Sequence, residues 1–78
     1  MSLLSHGHGR TKQQAHSMQN KGFKHSAALS IKTARPTLDG VQYIATPVAD
    51  EGIMLYSFAD PAHMLDFVER FGAEKVSP

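Results

Sequence analysis

Histidine is the residue with the most obvious chemical potential in this sequence, and its positions are uneven. Four of the five histidines fall within residues 6–25. His6 and His8 could present two neutral imidazoles to one zinc, nickel or copper ion, with His16 or His25 as a third ligand. A resident metal also needs a folded frame and outer hydrogen bonds that hold each imidazole, and this glycine-containing segment offers neither. The sequence therefore predicts no metal site and no cofactor.

The same segment is rich in cations, which predicts a polyanion-binding role. Residues 1–38 carry six Lys and Arg side chains and no acid, whereas residues 39–78 carry seven acids and two cations. Each cation could neutralise a phosphate, and Phe23 could stack on a base. An acidic protein surface, the chain's own acidic half, or solvent alone are the alternatives. The candidate contact residues are Arg10, Lys12, Lys21, Phe23, Lys24, Lys32 and Arg35.

The acidic half suggests a complementary surface. Asp50 and Glu51 lie at a predicted turn, while Asp66 and Glu69 lie on the outside of a predicted helix. Such a surface could block a basic, nucleic-acid-binding site on a larger complex, as a small inhibitor or adaptor of the phage or mobile-element type would. Acids at turns and helix starts also serve capping and solubility, which is the simpler interpretation of each residue taken singly.

Catalysis is not predicted. The chain contains no phosphate-binding glycine loop, no nucleophile elbow and no His-Glu-x-x-His motif. Ser57, His63 and Asp66 can be grouped on paper, but only His63 and Asp66 share a helix face, and nothing brings Ser57 within reach. We expect no catalytic residues and no small-molecule substrate.

Length and composition then limit what the chain can build. With 78 residues and no cysteine, the chain has a small core and no disulfide or thiolate metal site to stabilise it. No segment resembles a signal peptide or a membrane span, so we expect a cytoplasmic protein that does not bind membranes. Because burial within one such chain does not by itself offset the entropy of ordering it, a protein partner or a homodimer is expected.

The pattern of apolar residues predicts an α+β fold in two parts. Residues 1–26 form a basic, mostly disordered N-terminal arm with a short helix possible at 12–20, and residues 27–78 form a small domain. That domain is an antiparallel meander of about three strands at 28–34, 41–48 and 53–58. Asp39-Gly40 makes the first turn and Gly52 ends the second. A C-terminal helix begins after the N-cap Asp60 and ends before Gly72.

The predicted meander has apolar side chains on both faces, but only one helix to cover them. A three-residue second turn would place Val48 opposite Met54, and Val41, Tyr43, Ile53 and Leu55 on one shared face. The uncovered face is then exposed, covered by residues 1–26, or buried against another chain. Two proline positions, Pro36 and Pro47, leave the strand order open. The predicted partner interface comprises Val41, Tyr43, Ile53, Leu55 and Tyr56. The expected function is non-catalytic binding through this interface, with the arm adding electrostatic contact to a protein or to nucleic acid.

Overall fold

A computed structural model describes residues 9–33 and 38–76. The elements, in chain order, are helix α1 (Gly9–Asn20), strand β1 (His25–Ser30), strand β2 (Tyr43–Val48), a 3-10 turn (Ala49–Glu51), strand β3 (Ile53–Phe58), helix α2 (Pro61–Phe71) and strand β4 (Glu74–Val76). The α+β class is confirmed, with an antiparallel sheet of four strands rather than three.

Helix α1 is longer than the helix expected at 12–20, and it packs against the sheet. Thr11, Ala15 and Met18 are buried at a spacing of four and three residues, which places them on one stripe of the helix. Gly22 ends the helix with φ +93°, while its N–H donates to the Gln19 carbonyl and the Phe23 N–H donates to the Met18 carbonyl. This pair of bonds is a Schellman motif, which satisfies two of the last carbonyls.

The strand order is β2-β3-β1-β4, and all neighbours are antiparallel. β1 does not pair with β2, so the Asp39-Gly40 turn does not join two adjacent strands as expected. β1 instead lies between β3 and the short β4, which the sequence analysis did not assign as a strand. Pro47 lies on the edge strand β2, one of the few places where a sheet tolerates proline.

The register between β2 and β3 differs by one residue from the prediction. Val48 lies opposite Ile53 rather than Met54, because Ala49–Glu51 forms a 3-10 turn before Gly52 and the connection has one residue more than expected. A shift of one residue moves each β2 side chain to the opposite face relative to β3. Tyr43 therefore lies with Tyr56 and Phe58, at ring-centroid distances of 6.1 Å from both.

Helix α2 forms as its sequence predicts. The Asp60 carboxylate accepts the Ala62 N–H at 2.8 Å, Pro61 occupies the first turn, and Gly72 ends the helix with φ +68°. The buried Phe67 ring lies 4.7 Å from Tyr56 and 5.2 Å from Phe58 between ring centroids. These aromatic contacts hold α2 on one face of the sheet.

The sheet lies between the two helices and separates two apolar clusters. The α2-side cluster contains the buried residues Ala27, Leu29, Met54, Tyr56, Phe58, Met64, Phe67 and Ala73. The α1-side cluster contains Ala15, Ala28, Val48, Ile53, Leu55 and Val76. The N-terminal segment covers the second face of the sheet, because the buried side of α1 around Ala15 packs there.

Candidate functional site

The solvent-facing surface of α1 carries no acidic residue. Lys12, Gln13, Gln14, His16 and Ser17 are all exposed, while the stripe through Ala15 faces the sheet. These side chains offer ammonium, amide, imidazole and hydroxyl groups, all of which can donate hydrogen bonds. The helix surface itself therefore provides donors for an anionic ligand, and Asp50 is a carboxylate that borders it beside Gln13 and Gln14.

The cations continue past the end of α1. Lys21 and Lys24 are exposed on either side of the Gly22 turn, and no ion pair occupies Lys12, Lys21 or Lys24 within residues 9–33 and 38–76. Phe23 is half-buried, so only part of its ring is accessible for stacking on a base. We call Lys12, Gln13, His16, Lys21 and Lys24 together the α1 basic surface.

The beginning of α1 is held by the chain's own acids. The Glu51 carboxylate accepts the Arg10 N–H at 3.1 Å and the Thr11 N–H at 3.0 Å, and the Thr11 hydroxyl donates to it at 2.6 Å. Asp50 forms an ion pair with the Arg10 guanidinium at 2.7 Å. A carboxylate at a helix N-terminus satisfies unpaired N–H groups and interacts favourably with the helix dipole. Part of the charge asymmetry thus serves an intramolecular contact.

The remaining predicted charged residues are dispersed. Lys32 is exposed just after β1, and Arg35 lies outside the described residues. Asp66 and Glu69 are exposed on α2, on the other side of the sheet from α1, and Asp66 contacts Arg70 at 3.5 Å. The structure therefore does not bring the four predicted acidic residues together, since Asp50 and Glu51 lie beside α1.

The predicted partner interface does not form one exposed face. Ile53 and Leu55 are buried on the α1 side, and Tyr56 is buried on the α2 side. Val41 and Tyr43 are half-buried against the α2-side cluster because of the one-residue shift in register. The sheet faces are occupied by the two helices, so surface for a partner remains on the helices and at the sheet edges.

The grouping of Ser57, His63 and Asp66 does not occur. Ser57 is fully buried on the α1 side, where its hydroxyl lies 3.0 Å from that of Ser26 on the neighbouring strand. His63 and Asp66 line an open groove of about 200 Å³ on the α2 side of the sheet. The sheet thus separates the hydroxyl from the imidazole.

Within residues 9–33 and 38–76, no cluster of three or more metal-ligating side chains occurs. His16 is exposed on α1 and His25 is half-buried at the start of β1, whereas His6 and His8 lie outside the described residues.

Sequence reasoning missed the part that Thr11 and Glu51 play together. A threonine at the start of an amphipathic helix signals a cap, but its acceptor lies 40 residues away along the chain. The sequence signal for this contact is the pair of neighbouring acids Asp50 and Glu51, together with a first helix that contains no acid.

Comparison with models of protein families finds no match for this chain, and comparisons with curated proteins and with solved structures find none either. Among the described residues, neither helix has the length and apolar character needed to cross a membrane.

Proposed function

We propose that this protein is a non-catalytic binding protein that takes the phosphate backbone of a nucleic acid on the α1 basic surface. The observation that carries the proposal is the placement of Lys12, Lys21 and Lys24. All three are exposed and free of ion pairs in the described part of the chain, and no acid lies between residues 9 and 33.

The dimensions of α1 suit a run of phosphates. A helix of 12 residues is about 18 Å long, and duplex DNA carries one charge for about every 1.7 Å of its axis. A backbone laid along α1 would meet Lys12 near one end and Lys21 and Lys24 near the other. Gln13 and Ser17 lie between them and can donate to phosphate or sugar oxygens. Such contacts fix position and provide little sequence selectivity.

The rest of the charge distribution orients the approach of a polyanion. Asp66 and Glu69 are exposed on α2, which lies across the sheet from α1. A nucleic acid is therefore attracted to the solvent-facing surface of α1, while Asp50 and Glu51 beside the first turn of α1 and Asp66 and Glu69 on α2 repel it elsewhere. Arg10 contributes less, because its guanidinium is paired with Asp50.

The test is fluorescence anisotropy of labelled duplex and single-stranded oligonucleotides over a range of salt concentrations. In the triple variant K12Q/K21Q/K24Q the slope of log affinity against log salt should fall by about 2–3, since each phosphate contact contributes about 0.7–0.9. The matched control is K75Q, because Lys75 is exposed on β4 opposite Ala27, on the α2 side. The control should keep nearly the full slope.

Two results would reject this function. One is the absence of binding by the wild-type protein at about 20 mM salt, where phosphate contacts are strongest. The other is a slope change in K75Q of about one third of that in the triple variant, since K75Q removes one charge and the triple variant removes three; this result would indicate a response to net charge rather than a binding surface.

A second candidate, the inhibitor or adaptor, has support on α2. Among the described residues, Leu65 is the large hydrophobic side chain that is exposed to solvent, at 55%. Asp66 and Glu69 lie on the same helix. An apolar anchor beside carboxylates suits a basic protein surface. The variant L65S/E69Q should abolish capture of a basic protein partner while leaving nucleic-acid binding intact. Capture that is unchanged in this variant would contradict the second candidate.

A further inference from the structure

The two edges of the sheet differ sharply in their protection against pairing with another strand. β4 has three residues, two of which, Glu74 and Lys75, are charged. β2 has six residues, and the chain from Gly40 to Ala49 contains no charged side chain at all. Short length, charged side chains and proline are the usual means by which a sheet edge avoids pairing with another chain. β2 is neither short nor charged, and its Pro47 removes one outward N–H while Tyr43 and Ala45 keep theirs.

β2 is also the least covered of the three long strands. Each residue of β3 is buried, as are the four central residues of β1, whereas only Val48 is buried in β2. Tyr43 and Ile44 are half-buried, and Ala45 is exposed. The helices thus cover the centre of the sheet and leave an uncharged, largely apolar margin at β2.

We infer that β2 is the dimerisation edge of this protein and pairs antiparallel with β2 of a second copy. The occupant follows from the chemistry of the edge. An uncharged strand paired with itself brings no like charges together, and the main-chain groups of each copy supply partners for those that residues 9–33 and 38–76 leave unpaired in the other. Dimerisation stabilises a small core in particular, because a sheet that continues across two copies buries the β2 side chains that one copy leaves exposed.

Pro47 fixes the expected register. Proline lies in a sheet ladder where its missing N–H would point away from the neighbouring strand, so residues 43 and 45 also present their backbone groups outward. A two-fold axis at Ala45 then places Tyr43 of one copy opposite Pro47 of the other. Both outward N–H groups of each strand find a carbonyl, which gives about four hydrogen bonds across the axis.

This geometry also determines where the two α1 helices lie. Directly opposite residues in an antiparallel pair project to the same face of the sheet, so the two-fold axis is perpendicular to the sheet. Both α1 helices therefore lie on the same side of an eight-stranded sheet. The consequence for binding rests on the proposed function: one nucleic acid could contact two α1 basic surfaces, whereas a monomer offers one.

The test of the dimer uses charge at the axis and needs no nucleic acid. Ala45 is exposed in one copy, so Ala45→Lys and Ala45→Glu leave the monomer fold intact, but each places two like charges against each other in the dimer. Sedimentation equilibrium should show a wild-type dimer and, for each variant, a dissociation constant raised at least about tenfold. An equimolar mixture of the two variants should dimerise again. The matched control, Ala62→Lys on the exposed first turn of α2, should remain dimeric.

A monomeric wild-type protein at about 100 µM would overturn the inference, as would open-ended polymers, because a two-fold interface closes after two copies. Dimers that persist equally in both Ala45 variants would also overturn it. Circular dichroism of each variant establishes that it is folded, and rescue in the mixture cannot arise from misfolded chains.

The contribution of the dimer to nucleic-acid binding is measured in a separate experiment. Wild-type affinity should rise when the oligonucleotide is lengthened from about 8 to about 24 nucleotides, since the second contact becomes intramolecular. In the Ala45 variants this gain should disappear. A wild-type dimer without any nucleic-acid affinity would remove the proposed function and leave the dimer standing.

Discussion

Glu51 holds the first turn of α1, and its removal provides the sharpest test of how the N-terminal segment joins the core. The substitution Glu51→Ala removes the acceptor of the Arg10 and Thr11 N–H groups and of the Thr11 hydroxyl. Thr11 is fully buried, so its hydroxyl loses its partner where water does not replace it.

The size of the effect follows from these contacts. Loss of a helix N-cap costs about 0.5–2 kcal/mol, and leaving a buried hydroxyl unsatisfied costs about 1–3 kcal/mol. Because the Arg10 N–H is exposed and regains water, we expect a loss of about 2–4 kcal/mol in the free energy of unfolding. A domain of 78 residues has about 4–12 kcal/mol in total, so α1 should open at a substantial population.

The adjacent residue provides the matched control. Asp50→Ala removes only the ion pair with Arg10, whose two side chains are 69% and 62% exposed, and such a pair contributes about 0–1 kcal/mol. Urea denaturation monitored by circular dichroism gives the free energy of unfolding of each variant. Amide hydrogen exchange reports whether α1 opens before the sheet.

The variant Thr11→Val completes a double-mutant cycle. It removes the hydroxyl while keeping the shape of the side chain, so the pair Thr11→Val and Glu51→Ala should cost less than the sum of the two single changes. If Glu51→Ala were no more destabilising than Asp50→Ala, or if the cycle were strictly additive, the carboxylate would not be the anchor of α1.

Three further outcomes are expected, each measured by urea or thermal unfolding. Phe67→Ala should lower the free energy of unfolding by about 3–5 kcal/mol because this side chain is 1% exposed, whereas Leu65→Ala, at 55% exposure, should change it by less than about 0.5 kcal/mol. Asp60→Ala should cost about 1 kcal/mol through loss of the cap on α2, and Asp60→Asn should recover most of it. Ser26→Ala or Ser57→Ala alone leaves one buried hydroxyl without its 3.0 Å partner, so each should cost about 1–2 kcal/mol. The double alanine variant should cost less than the two together. Equal effects of the Phe67 and Leu65 changes, a fully destabilised Asp60→Asn, or additive serine changes would each contradict the corresponding packing, capping or hydrogen-bond assignment.

The parts of the fold that the sequence predicts well depend on local interactions. Asp60, Pro61 and Gly72 bound α2 with groups that act within one turn of the chain, and the structure places the helix at Pro61–Phe71 between them. Gly52 adopts the left-handed conformation expected of it, with φ +67°. Positions 53–58 alternate between two apolar clusters as their spacing predicts. Helix capping, turn geometry and the two-residue period of a strand can be predicted without knowing which distant residues pack against them.

The candidate site could be predicted only in part for the same reason. The cations Lys12, Lys21 and Lys24 are visible in the sequence, but their placement on α1 and just beyond its end depends on α1 docking onto the sheet. The low apolar content of residues 9–20 predicts a helix that is marginal in isolation. Packing of α1 on the sheet face that contains Ile53 and Leu55 supplies the apolar contacts that the isolated segment lacks.

The α+β class, the second helix with its caps, and the division of the chain into a basic first half and an acidic second half can be predicted from the order of the amino acids. The register of β2 and the place of β1 between β3 and β4 follow only from long-range packing. The anchoring of α1 by the Glu51 carboxylate likewise follows from long-range packing. Each of these depends on contacts between residues far apart in the chain, and one extra residue in the turn before Gly52 was enough to exchange the faces of β2.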